Sequence, residues 1–419
     1  MIIWIITTGE QLPYIDGENI RLWRSVLLSE ALVKKGHQVV RWSSSFDHSI
    51  KKHRFTEDRE ITVNNNYKIK FIKSLGYKRN ISIKRIIDHI ITARRFAKLA
   101  LNEQKPDVIL CSLPTIELCV EATNFGKFFN VPVVIDGRDM WPDMFMETFP
   151  KKLQFLGRLL LYPMFHQIKK ACQNATFLSG ISEPYIAWEL KYANRGRKQY
   201  DKSFTHGHVN NLPAQNEIKK GFAFWQEIGV NMNDFNICLF TAMGNVLDMG
   251  TIVNAAKILS ETHPKIKFIL CGDGVKLEEF RNMAEGIENV IFPGWVNNYQ
   301  IWTLMRLSKV GILPYWNIDN YKNNIPNKPI EYLSAGLPVI SSVSGLVQEL
   351  IEINNCGFYY KNGDYNTLTC IIVELFTNFA LQQELSYNAK TLFESKFTAE
   401  IVYEQMADYL IEIGNNFNE

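Results

Sequence analysis

The residues best suited to chemistry form one short run, Ile325-Pro326-Asn327-Lys328-Pro329-Ile330-Glu331, closed by Ala335-Gly336-Leu337-Pro338. Its types and spacing describe a loop, a helix that begins near Pro329, a glycine stop and then a strand. A helix start carries unpaired N–H groups and a partial positive charge, which suits a phosphate. Lys328 adds a full charge, and Glu331 in the first turn can accept two hydrogen bonds from a vicinal diol such as a ribose. The same run also fits a helix that binds nothing, because an acid in a first turn is favourable by itself. Two glycine turns precede it. Phe268-Ile269-Leu270-Cys271-Gly272-Asp273-Gly274 reads as a strand entering a Gly-x-Gly turn, and Asn289-Val290-Ile291-Phe292-Pro293-Gly294-Trp295-Val296 as a second strand and turn. In the first half, Val133-Val134-Ile135-Asp136-Gly137-Arg138-Asp139 is a strand that delivers charged residues to its end.

No metal site is indicated. The 7 cysteines are scattered, odd in number and without a C-x-x-C pair. Asp139 and Asp143 have the wrong spacing for an Asp-x-Asp pair, and His206-Gly207-His208 has no cysteine or carboxylate beside it.

The elements that must position these residues alternate almost throughout. Strands are expected at residues 2–6, 38–42, 68–72, 107–111, 131–135 and 175–178, then at 236–241, 266–271, 289–292, 310–314, 338–341 and 357–360. Helical periodicity fills the gaps, as at 19–35, 82–102 and 117–128. This alternation predicts an α/β fold with parallel sheets built from right-handed crossovers. A polar, turn-rich stretch at 205–213 interrupts the pattern and predicts two domains, at 1–212 and 213–397. A last helix, at about 398–419, is expected to pack back on the first.

Composition agrees. A chain of 419 residues exceeds one core, and 46% hydrophobic against 21% charged residues excludes disorder. No apolar run reaches the roughly 18 residues needed to span a bilayer. Met1-Ile2-Ile3-Trp4-Ile5-Ile6 is too short for a signal sequence and reads as a buried strand, so a cytoplasmic location is expected. The net charge of +3 hides an asymmetry: residues 1–212 hold 32 Lys and Arg against 20 Asp and Glu, and the rest 14 against 23. A basic half suits a polyanion such as the inner face of the cell membrane or a lipid diphosphate, or is simply a solvated basic surface. No nucleic-acid motif accompanies the charge, so nucleic acid is not expected as a partner.

In their order and spacing, the Gly272-Asp273-Gly274, Gly294-Trp295-Val296 and Pro326–Ile340 segments together resemble the nucleotide-binding domain of glycosyltransferase family 4. These are retaining enzymes of the GT-B fold, with two facing Rossmann-like domains. The first half is similar too, in Tyr14-Ile15-Asp16-Gly17 before a helix and in the Lys35-Gly36-His37 passage into a strand. Asp136-Gly137-Arg138-Asp139-Met140-Trp141-Pro142 and Trp42-Ser43-Ser44-Ser45-Phe46-Asp47-His48 resemble a subgroup that builds bacterial O-antigen and capsule polysaccharides. The resemblance covers nearly the whole chain and is strongest at 236–364.

It implies a metal-independent sugar transfer from a nucleotide-sugar, a UDP-sugar being the expected co-substrate, to a lipid-linked or saccharide acceptor. Donor-binding positions are then Gly17, Gly244, Asn245, Gly272, Gly274, Val296, Asn327, Lys328 and Glu331. Arg138 and Asp139 take the catalytic positions, and Arg21 and His48 are acceptor-side candidates. Three departures stand out. Asn323 replaces the first glutamate of the family's E-x7-E motif, Asn245 and Met249 lie where an Arg and a Lys usually clamp phosphate, and Arg138 replaces a histidine. Arg138 and Lys328 are expected to supply part of the missing charge. Two other readings stay open: a nucleotide-sugar 2-epimerase on a similar fold, and a non-catalytic scaffold that has lost its donor site.

Overall fold

The alternating apolar runs fold as two units, residues 1–205 with 399–419 and residues 206–398. The computed structural model describes residues 1–17, 22–80, 82–146 and 149–417. Arg21 lies outside the described residues.

Among the described residues the first unit has ten strands: β1 (Ile2–Ile6), β2 (Gln38–Ser44), β3 (Phe46–Asp47), β4 (Lys52–His53), β5 (Arg59–Asn64), β6 (Tyr67–Ile72), β7 (Val108–Leu113), β8 (Val133–Gly137), β9 (Phe177–Gly180) and β10 (Lys202–Ser203). Eight form one sheet in the order β10-β9-β8-β7-β1-β2-β6-β5, parallel except for the antiparallel edge pair β5 and β6. β3 and β4 form a separate two-stranded hairpin just beyond β2. The order reverses at β1, which pairs with β2 on one side and β7 on the other. Alternate residues of each buried strand face opposite layers. Trp4 and Trp42 meet edge-on at 5.3 Å, and Phe96 packs against Trp42 at 5.1 Å, all three sealed from solvent.

The second unit has six strands: β11 (Phe235–Phe240), β12 (Ile266–Cys271), β13 (Val290–Gly294), β14 (Ser308–Leu313), β15 (Val339–Ser341) and β16 (Gly357–Tyr359). Every pair is parallel and the order is β13-β12-β11-β14-β15-β16. That is the doubly wound order, whose switch point lies between the first and fourth strands of the unit, β11 and β14. Ile237, Leu239, Phe268 and Leu270 face one helical layer, while Cys238, Phe240, Ile269 and Cys271 face the other. Each unit is thus an α/β fold on a parallel or mostly parallel sheet, as the alternation predicts.

The unit boundary falls at Thr205, ahead of residue 212. Helix Ala399–Asn416 belongs to the first unit, where Glu404 and Asp408 lie 3.0 and 2.7 Å from Lys34 and Lys35. The five acids of residues 399–419 revise the charge asymmetry: the first unit holds 32 basic against 25 acidic residues, and the second 14 against 18. The first unit is still basic, at +7 rather than +12.

Candidate functional site

In open parallel sheets ligands bind beyond the carboxyl ends of the strands, at the switch point. In the second unit the loops that follow β11, β12 and β13 lie directly on one another there. Thr241 and Met243 donate backbone N–H groups to Cys271 and Asp273 at 3.0 and 2.9 Å, and Gly272 donates to Gly294 at 2.8 Å. Gly272 and Gly274 have φ of +143° and +154°. A Cβ at Gly272 would stand 1.8 Å from the Thr241 carbonyl oxygen, and one at Gly274 2.4 Å from that of Met243. Only glycine combines that backbone with that approach. Across the switch point the Thr241 hydroxyl and Tyr315 phenol are 3.1 Å apart.

Helix Asn327–Ser334 opens on this edge. It starts two residues earlier than the sequence pattern suggests, with Pro326 as N-cap and no side chain capping it. Pro329 falls within the first turn, where its missing N–H costs nothing. Glu331 is buried, and Lys328 Nζ lies 3.1 Å from its Oε2 and 4.5 Å from the Phe240 ring. Glu331 and Lys328 are therefore brought together, with Phe240 at the end of β11 as a shared wall. Val296 is buried, whereas Trp295 beside it is 72% exposed.

The clamp positions differ from one another. Gly244 and Asn245 lie at the surface of the β11 loop, and Met249 is buried in the core, so its side chain offers nothing at the strand ends. Asp248 caps helix Met249–Thr262 through Thr251 N and also accepts from Asn362 and Gly363, at 3.2 and 3.0 Å. The Asn323 side chain donates to the Asp319 carbonyl at 2.9 Å.

In the first unit, β8 delivers Asp136, Arg138 and Asp139 to the same edge of the sheet. Asp136 is sealed from solvent and receives Arg24 at 3.0 and 3.1 Å and Arg138 at 3.0 Å. Arg138 also bonds to Glu10, which accepts from Arg41 at 2.9 Å and from Ser25. Three guanidinium groups thus share two carboxylates. Burial alone would push Asp136 up, but Arg24 and Arg138 hold it below the usual carboxylate range. Arg138 and Arg41 do the same for Glu10. Nearby Glu189 is pushed well up by burial, then by Asp136 and Asp201. Arg138 is consequently a partner of Glu10 and Asp136, not a free cation awaiting a diphosphate. Lys328 shares its charge with Glu331 but stands at the helix start itself.

Asp139 is largely buried, and burial pushes its carboxyl up to about 6, opposed by Arg85 and Arg138. His48 Nδ1 is 2.5 Å from the Tyr77 hydroxyl and 3.2 Å from Lys51 Nζ. Burial, then Lys51 and Arg85, lowers it to about 4, so the imidazole is neutral near pH 7. Gly17 has φ of +136° and open space where a side chain would stand, at the end of helix Pro13–Asp16. Glu10, Arg24, Lys51, Tyr77 and Arg85 were not marked by any sequence motif, although all take part in these contacts.

Residues 237–392 match the family model described as glycosyl transferases group 1, within the second unit. The chain is 26% identical to the amylovoran biosynthesis glycosyltransferase AmsK of Erwinia amylovora, over 39% of this chain and 41% of that protein. It therefore spans less than half the length of the curated relatives it matches. Among solved structures, a sucrose-phosphate synthase from Thermosynechococcus elongatus superposes with TM-score 0.71 at 14% identity, covering 98% of each chain. Anabaena HepE in complex with UDP-glucose superposes with TM-score 0.63 at 15% identity, covering 98% of this chain and 99% of that one. Together these support the glycosyltransferase class of enzymes and the GT-B fold.

Proposed function

We propose that this protein is a retaining family 4 glycosyltransferase that moves a sugar from a UDP-sugar to a growing surface polysaccharide or lipid-linked acceptor. The observation that carries the reading is the buried Glu331 with Lys328 on an uncapped helix start, beside the Gly272 and Gly274 turn at the switch point. Glu331 holds the ribose diol, and the helix start and Lys328 face the diphosphate. The turn brings backbone close to the nucleotide, and Val296 meets the base through its main chain. Gly244 and Asn245 contribute from the neighbouring loop, and the second unit binds the donor. AmsK is an amylovoran biosynthesis glycosyltransferase and HepE has been seen with UDP-glucose, which supports a sugar transfer from such a donor.

The reaction needs no protein nucleophile. The bond from the sugar's anomeric carbon to the diphosphate breaks, and the acceptor oxygen bonds to that carbon on the same face. The acceptor's hydroxyl proton passes to the departing phosphate oxygen. The protein's work is orientation and stabilisation of developing charge. Asp139, oriented by Arg138, steadies positive charge on the sugar. Titration calorimetry with UDP, GDP, dTDP and CMP is expected to show UDP binding. If none binds, the donor reading falls and the scaffold reading replaces it.

The first unit also suits an anionic membrane surface. Helix Gln154–Leu160 exposes Phe155, Leu159 and Leu160, the last two 72% and 71% exposed, beside Lys151, Lys152 and Arg158. Among the described residues no helix is long and apolar enough to cross a membrane. Apolar side chains flanked by cations favour the interface of acidic bilayers. The protein is expected to sediment with phosphatidylserine vesicles at low salt, and Leu159→Asp with Leu160→Asp to abolish this. Equal sedimentation of both proteins would remove the helix from the docking surface.

A further inference from the structure

The carboxyl edge of the first unit's sheet holds a second cluster that the donor reading does not use. The β3–β4 hairpin brings His48 and Lys51, the segment after β6 brings Tyr77 and Asn80, and helix Ile83–Ala100 brings Arg85. Lys51 Nζ bonds to Asn80 Oδ1 at 2.6 Å and to the His48 carbonyl at 2.5 Å. Arg85 bonds to the Asn80 carbonyl at 2.9 Å and lies 4.5 Å over the Trp141 ring. Both cations lie over one Tyr77 ring, at 5.0 and 5.5 Å.

Every partner just named is neutral. Among the described residues no carboxylate lies within ion-pair distance of Lys51 or Arg85, whereas Arg24, Arg41, Arg54, Arg138 and Arg195 each contact one. The nearest acids are committed elsewhere or resist ionisation. Asp47 pairs with Arg54 at 3.0 Å and accepts from Ser49 N, and Asp88 accepts from Leu75 and Gly76 N at 2.7 and 2.8 Å. Burial raises Asp139 and Glu117 to about 6 and about 7. Two cations are thus gathered on one aromatic ring with their charge incompletely met, an arrangement that costs stability unless an anion joins it. Lys51 moreover holds φ of +56°, a backbone that favours glycine or asparagine. Lysine at that position makes sense for its side chain, not for its backbone.

We infer that Lys51 and Arg85, with His48 and Tyr77 between them, bind a phosphoryl group of the acceptor. Two cations match a dianion better than a single carboxylate, and the buried Tyr77 and Trp141 rings under Lys51 and Arg85 hold the pair in place. The assignment to the acceptor rests on the transferase reading; the anion site itself does not.

The test is titration calorimetry with glucose 1-phosphate, geranyl diphosphate and glucose, with and without saturating UDP. Both phosphorylated probes are expected to bind and glucose is not. Lys51→Gly, which relieves the left-handed backbone and so keeps the fold, is expected to weaken them about 10- to 100-fold, as is Arg85→Met. Tighter geranyl diphosphate would identify a lipid-linked source, and tighter glucose 1-phosphate a soluble sugar phosphate. Binding unchanged in Lys51→Gly, glucose binding as well as its phosphate, or no binding to wild type would each overturn the proposal. UDP affinity measured on the same proteins reports on the donor reading separately.

Discussion

Replacing Glu331 with alanine is expected to reduce UDP affinity about 100-fold, while the fold survives. The carboxylate lies in a buried position at the end of the doubly wound sheet, so its hydrogen bonds to a ribose diol form away from competing water. Each bond from a hydroxyl to a charged acceptor contributes about 1.5–3 kcal/mol, and two are lost together, which sets the scale. Lys328 loses this 3.1 Å partner in the same change, so its charge is less offset beside the proposed diphosphate position. That gain offsets a little of the loss. Glu331→Gln keeps an acceptor but not the charge, and about tenfold weakening is expected. Calorimetric titration of the three proteins gives the order; equal affinity in all three would remove Glu331 from the ribose and leave it a helix residue.

Much of this was legible because it is local. β1 and β12 run over Ile2–Ile6 and Ile266–Cys271, the bounds their apolar runs mark. The Gly272 and Gly274 turn follows directly, since period and punctuation lie within a few residues of each other. What escaped has a physical reason in each case. β5 opens on Arg59 and Glu60 and has four exposed and no buried residues among its six, so no buried face marks it as a strand. Helix Ala399–Asn416 was legible as a helix, yet its acids lower the charge of a unit whose other residues end at 205, and that needs the tertiary arrangement. Arg24 meets Asp136 across 112 positions and Arg138 meets Glu10 across 128. Local pattern holds no trace of such pairings, which is why Arg138 reads from sequence as an available cation and proves to be a partnered one. Lys51 and Arg85 carry no motif at all, and only the hairpin and the helix after β6 bring them to one ring.

Asp136→Ala is expected to be the most destabilising single change in the first unit, costing about 3–5 kcal/mol and on the order of 10 °C in melting temperature. The side chains of Arg24 and Asp136 are 2% and 0% exposed, so removal leaves guanidinium groups buried against one another with Glu10 as the remaining carboxylate. Arg138→Ala should be milder, because it leaves two cations matched to two carboxylates. The pH dependence separates charge from packing. Asp136 and Glu10 are held below their ordinary values by their arginines, so their stabilisation is complete above the unfolded carboxylate range near pH 4. It is lost as pH falls through the lower folded values. The wild-type melting temperature should therefore drop steeply below about pH 4, and the Asp136→Ala curve should be flatter there and approach it. Parallel curves from pH 7 to pH 3 would assign the loss to a cavity instead. The same network anchors the side chains of Asp136 and Arg138, the latter next to Asp139 in the chain. Arg138→Ala should thus retain most of the stability and lose transfer activity, a split that a purely structural arginine would not give.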